Sequence, residues 1–127
     1  AWADVAAEVF GMDHPALTAV FEQSVKHPAS MAFAAWDGDR MVAAANLFLH
    51  GSVGLLNTGA TLSSHRGRGA QSALIAARVE AARVGGATWV VAETGRPAEG
   101  QVNQSLRNLE RAGLHVLYAR RAWRWRA

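Results

Sequence analysis

Apolar residues at Trp2, Val5, Ala6, Val9 and Phe10 recur at intervals of three and four, the spacing of one helix face, and Gly11 offers a C-terminal stop. Asp13 stands where it can cap a second helix with Pro15 in its first turn; Leu17, Val20, Phe21 and Val25 line one face, and Pro28 ends it. Met31–Trp36 and Met41–His50 flank Asp37-Gly38-Asp39, a hairpin signal, and Gly51 separates a third strand, Val53–Leu62. A glycine-rich turn then opens a helix from Ala70 to Val84 that buries Ile75, Val79 and Ala82 and closes at Gly85-Gly86. Thr88–Glu93 is an apolar run of strand length, predicted to lie in the sheet centre. Asn103 can cap a last helix ending at Gly113, and Leu114–Arg126 reads as a final strand with Leu117, Trp123 and Trp125 on one side. This order predicts an α/β (α+β) fold: a mixed sheet with an antiparallel front half, at least one parallel crossover, and about four flanking helices.

At 127 residues, half of them hydrophobic, the chain is expected to form one domain over 1–127 with a real core. No apolar run is long enough to span a membrane. There is no cysteine, which excludes disulfides, thiolate metal sites and cysteine nucleophiles. The N-terminal stretch carries Asp4 and Glu8 and lacks a basic leader, so a cytoplasmic protein is expected. The chain starts at alanine, which leaves open a trimmed N-terminus or a further domain upstream. Charge is uneven: residues 1–60 carry two cations against six acids, a net of −4, while residues 61–127 carry eleven arginines against four acids, a net of +7. A positive field in the second half would steer an anionic ligand.

The chemistry concentrates between Thr58 and Ser72. An extended segment meets the basic turn Arg66-Gly67-Arg68-Gly69 and then a helix. A helix N-terminus presents unpaired N–H groups and the positive end of the helix dipole, glycine permits tight curvature and close approach, and two arginines add full charges. Phosphate or pyrophosphate suits this arrangement. One reading is a dinucleotide site, from the G-x-G-x-x-S string Gly67–Ser72 with Glu93 as a ribose-binding acid 24 residues after Gly69. The third glycine is serine, three strands precede the motif, and too little chain follows for another mononucleotide unit.

The other reading is coenzyme A. Arg66-Gly67-Arg68-Gly69-Ala70 matches the first five positions of Q/R-x-x-G-x-G/A, with Gln71 departing at the sixth. Downstream, Asn103-Gln104-Ser105-Leu106-Arg107-Asn108-Leu109-Glu110-Arg111-Ala112-Gly113-Leu114 is a helix opened by asparagine and ended by glycine plus an apolar residue. In these two motifs and in element order the chain resembles the GNAT superfamily of acyl-CoA-dependent N-acetyltransferases over roughly residues 2–118. The resemblance implies acetyl-CoA as cofactor, with Arg66, Gly67, Arg68, Gly69, Ala70, Gln71 and Ser72 around the pyrophosphate. It places Gly59, Ala60 and Thr61 along the pantetheine arm by backbone pairing, with a nearby N–H polarising the thioester carbonyl. Asn103 and Ser105 become pantetheine contacts, although asparagine is also a good N-cap in its own right. His65 reads as a surface histidine within range of a nucleotide phosphate.

For catalysis the family pattern calls for a glutamate where Leu55 stands and a tyrosine where Leu109 stands. Glu93, at the end of the strand facing the cleft, is the remaining candidate base, and Tyr118 is expected to pack in the final strand. The histidines 14, 27, 50, 65 and 115 lack metal-binding spacing, and no G-x-S-x-G is present. The tail Arg120–Arg126 interleaves arginine with tryptophan, a single-stranded nucleic-acid pattern, but it reads better as an edge strand with solvated arginines. The reading is therefore transfer of an acetyl group to a primary amine of a small molecule or peptide, with no nucleic acid, membrane or metal involved and a homodimer left open. The alternatives are a non-catalytic acyl-CoA-binding or sensor domain, the degenerate half of a larger acetyltransferase, and a dinucleotide-binding fragment.

Overall fold

One sheet of four strands organises the chain in the computed structural model, which describes residues 1–12 and 14–126. The strands are β1 (Ser30–Asp37), β2 (Arg40–His50), β3 (Val53–Thr61) and β4 (Trp89–Ala92), in the spatial order β1-β2-β3-β4. The first two pairings are antiparallel and the third is parallel. Helices α1 (Trp2–Phe10) and α2 (Pro15–Lys26) precede the sheet, α3 (Ala70–Val84) makes the crossover from β3 to β4, and α4 (Gln104–Arg111) follows. The fold class expected from the sequence is the one observed.

The pleat assigns the faces. Ala43, Ala45 and Leu47 on β2 pack toward α3 with Leu74 and Ile75, while Ala44 packs with Val5 of α1 and Leu62. The short side chains of β2 let helices approach both faces. At Gly54 a Cβ would lie 2.8 Å from that of Ala82, so α3 lies against β3 closer than any side chain at residue 54 allows. Trp2 fixes α1 to the sheet by donating from Nε1 to the Phe33 carbonyl at 2.9 Å.

Several expectations change. The proposed cap Asp13 lies outside the described residues; His14 is the N-cap of α2, its Nδ1 accepting from the Ala16 N–H at 3.2 Å. On α2, Leu17 and Val20 are exposed, and only Phe21 and Val25 of the expected stripe are half-buried. Leu114–Arg126 is not a strand: it has no regular structure, and Leu117, Tyr118, Trp123 and Trp125 are more than 70% exposed. Alternation alone does not make a strand when no ladder partner is present. Because this segment does not pair, β4 is an edge strand rather than a central one, and Trp89 and Val91 face outward while Val90 and Ala92 pack inward.

Candidate active site

The site is created where β3 and β4 part. Their parallel pairing runs from Val53↔Trp89 to Leu56↔Ala92 and stops, while β3 continues to Thr61 against β2 alone. At the same point β3 bulges: Ala44 pairs with Ala60 and Asn46 with Asn57, leaving Thr58 and Gly59 opposite Ala45. Thr58 has φ +49°, a conformation a β-branched residue adopts at a cost of about 1–3 kcal/mol. The bulge lies just past the end of this pairing and lines a cavity of about 280 Å³. Its lining comes from both faces of the sheet: Phe10 from α1 on one side, and Gln71, Ile75 and Arg78 from α3 with Ser105 and Leu109 from α4 on the other. The cavity therefore passes through the sheet at the split.

The glycine turn sits at the same end of the sheet. Gly67 and Gly69 have φ +74° and +84°, values that favour glycine, and a Cβ at either would meet open space. Gly69 is the N-cap of α3 and has no side chain to offer; the first intrahelical bond runs from the Ala73 N–H to the Gly69 carbonyl at 3.0 Å. The N–H groups of Ala70, Gln71 and Ser72 therefore project forward without helical partners. These N–H groups and the open glycine backbone fit a pyrophosphate, and the split beyond Leu56 fits the amide-bearing arm of coenzyme A. Arg66 and Arg68 are both exposed; Arg66 Nε donates to the Thr61 carbonyl at 3.4 Å, and Arg68 Nη1 lies 3.6 Å from Asp37 Oδ2. His65 is held rather than free, between Ser64 Oγ at 2.8 Å and Asp37 Oδ2 at 3.1 Å.

Of the other residues singled out by sequence, Gly59, Gln71, Glu93 and Ser105 line the cavity. Ala60 is buried in β3 and Thr61 is half-buried at its end. Asn103 caps α4, its Oδ1 accepting from the Leu106 N–H at 3.1 Å, while its Nδ2 donates to Thr94 Oγ1 and the Gly95 carbonyl at 3.0 and 2.6 Å. It thus ties the start of α4 to the end of β4. Gln71, the departure from the loop pattern, has a structural use: it donates to Ser105 Oγ at 3.0 Å and accepts from Asn108 Nδ2, latching α3 to α4 beside the cavity. Glu93 is exposed, and Arg120 bridges both its oxygens at 2.6 and 2.7 Å. Glu93 in turn raises the Arg120 guanidinium above its ordinary range. Tyr118 is solvent-exposed and is not packed in a strand as expected. No group of three or more metal-binding side chains occurs among the described residues, and no described helix is long and apolar enough to cross a membrane.

The residue that spacing alone does not single out is Arg78. It is 3% exposed, and burial lowers its pKa to about 10, so it stays protonated near neutrality. Its signal in the sequence is a cation four residues after Leu74, three after Ile75 and four before Ala82, inside the buried stripe of α3.

The family model described as the acetyltransferase (GNAT) family matches residues 2–103. Comparison with curated proteins returns no match. Among solved structures, AAC(6')-Iy in complex with the bisubstrate analogue CoA-S-monomethyl-acetylneamine aligns with a TM-score of 0.79 at 16% identity, covering 99% of this chain and 90% of that one. The aminoglycoside antibiotic 6'-N-acetyltransferase AAC(6')-IG from Acinetobacter haemolyticus aligns at 0.77 with 13% identity, covering 99% and 90%. A ribosomal-protein-alanine N-acetyltransferase from Brucella melitensis biovar Abortus 2308 aligns at 0.75 with 18% identity, covering 98% and 91%. The sequence pattern thus agrees with the split sheet and the glycine-opened helix, and the chain belongs to the acetyltransferase (GNAT) family, whose acyl donor is acetyl-CoA.

Proposed function

We propose that this protein transfers an acetyl group from acetyl-CoA to a primary amine of a small molecule or peptide. The observation that carries this reading is the cavity through the split sheet, lined from both faces. The donor's phosphates would rest on the N–H groups of α3, its arm would run along β3 beyond Leu56, and the acceptor would approach from the α1 side past Phe10. When bound, acetyl-CoA supplies an activated acyl carbon and a thiolate leaving group. The protein contributes the alignment of two reactants in one passage, the principal means by which a bimolecular step is accelerated. Asn103 and Ser105 would hold the arm from α4, and the β3 edge at Gly59–Thr61 would hold it by backbone pairing. Glu93 is the proposed proton acceptor for the incoming ammonium, directly or through water.

A second reading has its own support. Leu55 and Leu109 stand where acid–base groups are expected, and Glu93 is engaged by Arg120. These features suit a domain that binds acyl-CoA without turnover. Calorimetry with CoA, followed by a thiol-release assay with acetyl-CoA across a panel of primary amines, separates the two. Binding with amine-dependent thiol release is the expected result. Binding without release for any amine favours the sensor domain, and absence of binding ends both readings.

A further inference from the structure

Arg78 is the only charged side chain buried among the described residues, and it has no ion-pair partner among them. Its three hydrogen bonds all go to neutral carbonyl oxygens: Nε to Leu74 at 3.0 Å, and Nη1 to Asn46 and Asn57, each at 3.1 Å. The last two lie on β2 and β3 beside the bulge. Nη2 makes no hydrogen bond among the described residues, and it lies 3.7 Å from where a Cβ on Gly59 would stand. Arg78 lines the cavity together with Asn57, Thr58 and Gly59. A buried cation held only by neutral carbonyl oxygens is expensive, and a merely space-filling role is served better by an apolar side chain of similar volume.

The complement of this cation is negative charge brought by the ligand. Arg78 reaches the cavity from α3, the helix whose N-terminus forms the phosphate cradle. It lies eight residues along that helix, about 12 Å from the cradle, within reach of the acyl end of coenzyme A's arm. We propose that Arg78 Nη2 donates to the carbonyl oxygen of the acyl group and holds the negative charge that this oxygen gains during transfer; the inference rests on the acetyltransferase reading above. In that step the amine lone pair forms a C–N bond to the acyl carbon while the carbonyl π pair moves onto oxygen. The pair returns as the C–S bond breaks, sulfur leaves as thiolate with the bonding electrons, and the ammonium proton passes to water or base. A fixed cation in a water-poor site needs no reorganisation when the charge develops, which is the most effective form of transition-state stabilisation.

The test compares two inert ligands by calorimetry: the methyl ketone in which CH2 replaces the sulfur of acetyl-CoA, and S-ethyl-CoA, which lacks the carbonyl oxygen. The parent is expected to prefer the ketone by about tenfold or more. Arg78→Met and Arg78→Gln should abolish that preference while binding S-ethyl-CoA as the parent does. In the parent, the infrared carbonyl stretch of a ¹³C-labelled ketone should move to lower frequency on binding, a measurement that requires no variant to fold. An unshifted stretch, or equal loss of both ligands in the variants, overturns the role of Arg78. If the parent binds neither ligand nor CoA, the acetyltransferase reading itself fails.

Discussion

At the scale of single residues, backbone angle and burial decide what each position can do. Gly69 sits at φ +84° with open space around its missing Cβ, so a side chain there clashes with no protein atom. Its cost is conformational, about 1–2 kcal/mol, and it also obstructs the approach of a phosphate. Gly69→Val is therefore expected to lower the melting temperature modestly and to weaken CoA binding strongly. Calorimetry well below the melting temperature separates the two effects, and undiminished affinity there would remove the loop from the site. Glu93→Gln keeps shape, and should leave CoA affinity intact while slowing turnover by about 10²–10⁴-fold if the carboxylate takes the amine proton. That loss should be largest at low pH, where the amine is mostly protonated, and a rate equal to the parent's across the pH range would assign the proton to water. Arg78 carries a pH signature in stability. Its pKa is lowered in the folded state to about 10, below the ordinary arginine value, so the folded protein binds fewer protons than the unfolded chain between those values and stability rises with pH there. The burial penalty is present in full below pH 10. The difference in unfolding free energy between parent and Arg78→Met should stay flat from pH 6 to 9, then shift in the parent's favour above about pH 10, as chemical denaturation would show.

At the scale of elements, helix and strand periods carry local information, and the readings that succeeded were local. The turn at Gly67–Gly69 and the span Ala70–Val84 follow from glycine punctuation and a 3.6-residue stripe, and the Asn103 cap follows from side-chain chemistry close in sequence. The misses are non-local. Whether Leu114–Arg126 joins the sheet depends on a ladder partner, and the alternation of Trp123 and Trp125 says nothing about one. The bulge at Thr58-Gly59, beside the cavity, is half legible: a glycine inside a strand favours a bulge, whereas the place of the extra residue is set by register with β2. Arg78 was hidden for a related reason: a cation on a helix normally lies on the solvated face, and only the tertiary arrangement shows its head capping carbonyls of two strands. Packing of α3 on β3 yields a further test. The 2.8 Å approach of a Gly54 Cβ to Ala82 is backbone-anchored on both sides, so neither atom can rotate away. Gly54→Ala should destabilise the fold by about 1–3 kcal/mol through overpacking, and Gly54→Ala with Ala82→Gly should recover much of it. A chemical-denaturation cycle showing no coupling between the two sites would mean that α3 shifts freely on the sheet.

At the scale of the whole molecule, the uneven charge acquires a location. The acid-rich first half builds α1, α2 and β1–β3, and the arginine-rich second half builds α3, α4 and the loop ahead of them. Arg66 and Arg68 are exposed at the proposed phosphate end and Arg107 and Arg111 are exposed on α4, while Asp37 lies between His65 and Arg68 and offsets part of the turn's charge. The net field should therefore act on approach more than on the bound complex. A multiply charged anion such as coenzyme A is drawn toward such a surface over roughly a Debye length, about 10 Å at 0.1 M salt and shorter as salt rises. The association rate of CoA, measured by stopped flow, should fall by about tenfold between low and high salt, while the dissociation rate changes little. Arg66→Gln with Arg68→Gln should lower the low-salt association rate and flatten the salt dependence, and Asp37→Asn should steepen it. A salt-independent association rate in the parent would show that the arginine clustering plays no part in capture, leaving the N–H groups of α3 as the sole attraction for the phosphates.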